Sequence, residues 1–488
     1  MPRDDQQDAS TEQPVPNPWR ALAVTLLAGF IVLLDVTIVA VALPSLQSDL
    51  DTGAPQVQWV VSGYTLTFAL VLVTGGRLGD AWGRRRMFVV GLAGFVACSA
   101  LAGLAPSIWW LVAARLLQGV AGGALTPQNA GLIQQLFARE ERGRAFGWLG
   151  GTIGLATALG PVLGGGILAL APGEDGWRWI FFVNVPVGLV ALVLALRLLP
   201  RDEPRGRLRL DVVGTLLLGL ATFAALLPLV TAEAGGLRRF WWLFAVAAAL
   251  GALFVRWEHR VVARGGAPLL DPRLVTRTPG YAAGVALISV YFVGFSGVFL
   301  VLAIFFQTGL GWTPLQSGLA VTPFSIGSAV AAVVAGRLVG RLGRRLTVLG
   351  LAGVAAGFAL TAVALALAPS AVAAFWAAPA LLLAGVAGGC VISPNTTMTL
   401  SDVPPGSASV ASGTLQTGQR VGAAIGTALL PALFYVVLAD ADPRRAVAAA
   451  LGGSVLVVLV ALGVAVLDRR AEARRQTRRP EEAVRTGR

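Results

Sequence analysis

Apolar residues in this chain come in unbroken runs without period-two alternation, such as Ala21 to Leu43, Met87 to Leu104 and Leu451 to Leu467. A hydrocarbon core of about 30 Å takes roughly 20 helical residues to span, and each run is close to that length. Fourteen such runs follow one another, with short Arg-bearing loops at alternate ends. Inside lipid every backbone N–H and C=O must be bonded within the segment, and runs without alternation favour helices over a barrel. The pattern predicts an all-α polytopic membrane protein.

The spans group as six, two and six. A polar tail, residues 1–18, precedes spans near 20–43, 56–76, 87–105, 108–130, 144–170 and 178–199, so a first six-helix bundle occupies 19–199. Residues 200–278 form a linker that carries two extra spans, near 211–231 and 240–256, and a second bundle occupies 279–467 before a basic tail, 468–488. Internal repetition supports the partition. Gly76 to Arg85 matches Gly336 to Arg345 at six of ten positions, 260 residues apart, and Leu116 to Gly123 matches Leu382 to Gly389 at seven of eight, 266 apart. Two ordered matches at consistent spacing indicate duplication, and duplicated six-helix bundles with a pocket between them are the architecture of rocker-type secondary transporters. A membrane scaffold has no need of such symmetry.

Composition agrees with the membrane assignment, since only 13% of the 488 residues are charged, against about 25% in soluble domains. The net charge of +13 would suit nucleic acid, but its distribution follows the positive-inside rule instead. With the N-terminus cytoplasmic, 31 of the 38 basic residues fall on the inner side, five on the outer side and two within spans. Both termini are therefore expected in the cytoplasm, and the membrane is the cytoplasmic one. No apolar core precedes the first span, so no cleavable signal is expected. Every basic residue is Arg, which removes a P-loop lysine, so no ATP hydrolysis by the chain itself is expected. Cys98 and Cys390 read as packing residues, His259 as a solvated linker residue, and no metal-ligand cluster is apparent in the sequence. Trp177, Trp179, Trp241 and Trp242 sit at span ends, as in an aromatic belt, and the eight Arg of the tail suit anionic membrane lipid.

Three charges lie within spans: Asp35, Arg115 and Arg420. Each costs about 2.5–3.5 kcal/mol at a helix centre and is a functional candidate by default. Asp35 lies about 8 residues, roughly 12 Å, below an outer helix end near Pro44, and Arg115 lies roughly 10 Å down the fourth span. The two opposite charges share a depth, as a proton-binding pair or a static ion pair would. Arg420 either faces a substrate or pairs across the halves. Polar residues Thr37, Gln118, Gln307, Asn395, Gln416 and Gln419 join it as candidates for a central cavity. In the loop after the second span, Gly76 and Gly83 allow tight turning while Asp80 and Arg84 can latch one face. Gly154, Gly160, Pro161 and Gly164 in the fifth span make a smooth, bendable surface for helix contact and gating.

At these residues the chain resembles the fourteen-helix drug:proton antiporters of the major facilitator superfamily. Leu34 to Pro44 is similar to their first-helix signature, and Gly76 to Arg86 to the superfamily's loop between helices 2 and 3. Arg115 to Gly119 resembles the helix 4 motif tied to proton transfer, Gly154 through Gly165 the helix 5 antiporter motif, and Trp177 to Pro186 the entry to helix 6. Ala40 stands where that family has Asn and Ala81 where it has a basic residue; in the second half, Gly340 and Leu381 take the places of Asp80 and Arg115. The resemblance implies a secondary transporter, not an enzyme: an exporter of lipophilic drugs or antibiotics driven by protons through Asp35 and Arg115. It implies no cofactor and no ATPase subunit. With one acid and two arginines inside spans, neutral compounds, monocations or anions fit better than dications. Export of a specific lipid or endogenous metabolite is the alternative.

Overall fold

No strand occurs among the described residues of the computed structural model, which are 17–171, 174–201, 211–231 and 235–485. Most of the 1–18 tail and of the charged stretch after Pro200 lies outside them, as do the side chains of Pro161 and of residues past 472. The helices are α1 (Pro18–Asp49), α2 (Ala54–Trp82), α3 (Arg84–Gly103), α4 (Ile108–Leu136), α5 (Arg139–Leu170), α6 (Arg178–Phe182) and α7 (Asn184–Leu198). The linker holds α8 (Val212–Val230), α9 (Gly236–Phe240), α10 (Leu243–Ala263) and α11 (Pro272–Arg277). The chain continues with α12 (Tyr281–Ile304), α13 (Pro314–Leu342), α14 (Arg344–Leu367), α15 (Ala373–Leu400), α16 (Ala408–Leu438) and α17 (Pro443–Arg485). Thirteen helical stretches among the described residues are long and apolar enough to cross a membrane.

Local chemistry sets where these helices begin. Asn17 accepts from Arg20 N ahead of Pro18, and Thr313 and Gln316 form a reciprocal capping box ahead of Pro314. Gly83, at φ 119°, both ends α2 and starts α3, and Gly343, at φ 53°, does the same between α13 and α14. Only glycine takes such angles without strain, so both copies of the loop need glycine at this position. The helix packing repeats likewise. A Cβ on Gly119 would come within 2.4 Å of Tyr64 O, and one on Gly385 within 2.1 Å of Phe324 O. The small residues thus let α4 lie on α2, and α15 on α13, at backbone contact. One buried cluster is drawn entirely from residues between Leu287 and Ala465, another from residues between Ala21 and Leu199.

Several boundaries differ from expectation. α1 continues past Pro44 to Asp49, so Asp35 sits further from the helix end than the sequence suggested. The sixth span comprises α6 and α7, joined at Val183, whose backbone stays helical at φ −58° and ψ −29°. The eighth expected span is a helix, α10, that runs on past residue 256 to Ala263 and carries Arg256, Glu258, His259 and Arg260 in its last third. His259 is exposed on that helix rather than in a loop. The basic tail extends α17 without a break to Arg485. Trp177 is not at a lipid interface: it is fully buried and donates to Asp49 at 2.5 Å, whereas Trp179, Trp241 and Trp242 are exposed.

The linker hairpin leans on both halves of the chain. Leu226 packs with Leu66, Ala69 and Ala424, and Phe254 and Leu269 pack with Val73 and Val410. At its base Asp211 caps α8 by accepting from Gly214 N at 2.8 Å and also accepts from Trp257 Nε1. Glu258 is buried beside it, accepting from Leu270 N at 3.3 Å. Burial first, and then the neighbouring Asp211 carboxylate, push the Glu258 carboxyl up to about 8. A carboxyl raised in the folded state stabilises fully below its unfolded value and loses that contribution as pH rises through its folded value. Thermal unfolding of purified protein should therefore show stability falling from about pH 5 to pH 8, and Glu258→Gln should flatten that dependence.

Candidate functional site

Three helices bring one polar cluster together inside the first half. α1 supplies Asp35, α4 supplies Arg115 and Gln118 one turn apart, and α7 begins with Asn184. All four side chains are at most 1% exposed. Arg115 Nη1 donates to Asp35 Oδ2 at 2.5 Å and to Gln118 Oε1 at 2.7 Å, while its Nε donates to Val60 O at 3.1 Å. Asp35 Oδ1 accepts from Gln118 Nε2 at 3.2 Å and from Asn184 Nδ2 at 3.0 Å. Asn184 is in turn oriented by Ser99 of α3, whose hydroxyl donates to Phe181 O at 2.9 Å. Gly188 lets α7 close on Val96 and Ile31. An ionised carboxylate accepts only, and here three donors from two other helices satisfy it. The guanidinium also lies 4.1 Å above the Tyr64 ring, a cation–π contact that partly repays its desolvation.

The sequence assigned Asp35 and Arg115 to one site, and they meet. Gln118 and Asn395 need correction. Gln118 is fully buried between Asp35 and Arg115 and belongs to the ion cluster, not to a cavity wall. Asn395 is fully buried as well, accepting from Arg344 at 3.0 Å and donating to Gly284 O at 3.0 Å, so it ties α15 to α14 and α12. Thr37 bonds Leu34 O and Ala156 O and packs on Gly160, which joins α1 to α5. Gln307 lies in a π turn, Phe305–Gly309, at the end of α12. Gln416, Gln419 and Arg420 are half-buried on α16, where Arg420 stacks 4.5 Å over Phe68 of α2 and Gln416 donates to Ser412. Asn184, Ser99 and Tyr64 were missed as partners; only the motif from Trp177 to Pro186 pointed toward Asn184. A second buried pair was missed too: Arg344 meets Asp468 at 2.8 Å.

A separate set of contacts joins the two halves at the Arg-rich face. Asp80 Oδ1 accepts from Arg84 at 2.9 Å and from Ser409 N at 3.3 Å, and Oδ2 accepts from Val410 N at 3.0 Å. The carboxylate therefore caps free N–H groups at the start of α16, where the helix dipole favours negative charge. Arg84 bridges further, donating to Gly131 O at 2.7 Å and to Pro405 O. Gly76 permits this approach, since a Cβ there would meet Ser409 O at 2.4 Å. Arg139 pairs with Asp402 at 2.5 Å, and Gln134 donates to Leu400 O at 3.0 Å. On α5, Gly143, Gly147, Gly151 and Gly154 lie against Gly336, Val333 and Ala329 of α13. Toward the other face, a Cβ added to Gly165 or Gly166 would have nothing within 4 Å. Gly164 is buried. The halves are thus closed at the Arg-rich face. Asp80→Asn removes the charge from two backbone hydrogen bonds and one ion pair, each worth about 1.5–3 kcal/mol when charged. It should widen the Arg139-to-Asp402 separation in spin-label distance measurements and slow transport.

A family model described as Major Facilitator Superfamily matches residues 25–427, across both halves. The chain belongs to the major facilitator superfamily. It is 38% identical over 88% of its length to a probable actinorhodin transporter of Streptomyces coelicolor, covering 75% of that protein. It is 36% identical over 94% of its length to the puromycin resistance protein pur8 of Streptomyces alboniger, covering 91% of it. Among solved structures, the human organic anion transporter MFSD10 superposes with a TM-score of 0.65 at 17% identity, over 92% of this chain and 100% of that one, which speaks to the fold alone. Members of the superfamily are secondary transporters. The chain is accordingly a multi-pass membrane transporter rather than an enzyme, and its relatives include antibiotic resistance and efflux proteins.

Proposed function

We propose that this transporter is a proton-coupled exporter, an antiporter of lipophilic drug-like compounds across the cytoplasmic membrane. The observation that carries the proposal is the fully buried Asp35–Arg115 pair, wired through Gln118 and Asn184 to α4 and α7. A buried carboxylate is stable ionised while Arg115 and two amides hold it, and takes a proton when those donors withdraw. Helix motions that separate α1 from α4 would therefore couple protonation to conformation. The contacts at the Arg-rich face supply the second element: with that face cytoplasmic, the present arrangement is closed inward, and opening requires Asp80 to release α16 and α5 to slide from α13. Two six-helix bundles then rock about a central site, with α8 and α10 as extra spans and both termini inside. The proton gradient serves as the energy source, with no cofactor and no ATPase subunit. Names of relatives support a drug or antibiotic as cargo.

The test is proton movement in liposomes holding purified protein and an internal pH dye, on adding lipophilic compounds across an imposed pH gradient. Compound-dependent proton flux is expected. Transport of a compound with no accompanying proton movement would refute antiport, and flux only with extracted lipids would redirect the cargo toward a native amphiphile.

A further inference from the structure

We propose that Arg420 is the anion subsite of the substrate cavity, and that the lipophilic cargo bears one acidic group. The inference rests on the exporter reading and names its substrate class. Arg420 lies on α16, half-buried, at the seam with α2. Among the described residues its guanidinium has no carboxylate within ion-pair distance and no hydrogen-bond acceptor; its ring contact is Phe68, at 4.5 Å. Asp35 cannot serve it, because Arg115, Gln118 and Asn184 already occupy that carboxylate. The contrast with Arg115 is instructive. Tyr64 and Phe68 stand one turn apart on α2 with ring centroids 5.7 Å from each other, and each carries an arginine, but only the arginine on Tyr64 has a counter-charge.

A charge within a span is costly in lipid, and a cation–π contact returns only part of that cost. An uncompensated guanidinium between the halves therefore favours an incoming anion, and its flat fork suits a carboxylate or phenolate. Phe68 is itself fully buried beneath the guanidinium, so the donors of Arg420 that it leaves unbonded are what an incoming acidic group can reach.

Equilibrium binding to purified protein in phosphatidylcholine nanodiscs, without a pH gradient, tests this independently of proton coupling. The probes are anthracene-2-carboxylate, its methyl ester and 2-(aminomethyl)anthracene, identical in ring and different in charge. The acid should bind at least about tenfold more tightly than the ester or the amine. Arg420→Gln should erase that preference and leave ester binding unchanged, and Arg420→Lys should keep most of it. No binding of the acid, equal binding of the three probes, or a preference that survives Arg420→Gln would overturn the proposal. The ratio in the unmutated protein decides the matter even where a variant fails to fold. Proton-coupled export of the ester without preference for the acid would overturn this inference and leave the exporter reading standing.

Discussion

Asp35→Asn is expected to abolish compound-driven proton flux in liposomes while leaving compound exchange without a gradient. Asn retains the shape of Asp, but its amide offers a single acceptor oxygen where Asp35 now meets three donors from Arg115, Gln118 and Asn184. Arg115 is left buried at 1% exposure without a counter-charge. Breaking one partner out of a buried pair costs about 3–5 kcal/mol, which is more than about a hundredfold in any equilibrium that passes through the paired state. Proton flux should therefore fall by at least about that factor. Arg115→Gln added to Asp35→Asn removes the orphaned charge, so the double variant should recover stability yet not proton movement. Undiminished flux in Asp35→Asn would move the proton site elsewhere.

Gly336→Val should be the strongest conformational lesion. A Cβ at Gly336 would stand 2.4 Å from Gly143 O and 2.6 Å from Gly147 Cα, and these are backbone atoms that no rotamer can move aside. The only relief is to part α5 from α13, which overpacking studies put at about 1–3 kcal/mol. Transport should fall about tenfold or more, and the closed state should empty. Crosslinking of Arg139→Cys to Asp402→Cys by a short bifunctional thiol reagent, in a background lacking Cys98 and Cys390, reads this directly, because the native guanidinium and carboxylate meet there at 2.5 Å. The crosslink should form readily with glycine at 336 and poorly with valine. Gly340→Val is the control, since that position has nothing within 4 Å.

Much of this was legible along the chain. Apolar runs of bilayer length predicted the helices, and the two repeated segments predicted loops whose glycines, Gly83 and Gly343, share a positive φ. A charge inside such a run is conspicuous because lipid penalises it, so Asp35, Arg115 and Arg420 stood out. Other polar residues did not carry such a signal. Gln118, Asn395 and Thr37 are uncharged, so their presence in a span costs little and says nothing about which neighbour they face. Asn184 had the same difficulty, and its role depends on how α7 packs against α1 and α3. Buried charges near helix ends were equally silent. Arg344 and Glu258 fall in segments that read as loop and linker in sequence and are buried at 5% and 1% exposure, because helices from distant segments close over them.

The sequence by itself determined the membrane-spanning helical class, the repeat and the short list of intramembrane charges, since these follow from transfer free energies and chain-local geometry. Only the tertiary structure decided which polar groups converge: that Asp35 is held by α4 and α7 together, that Asp80 caps α16 more than three hundred positions away, and that Arg420 meets a ring but no acid. Those pairings depend on helix rotation and on glycine-permitted approach between segments remote in sequence, and hydropathy carries no information about either.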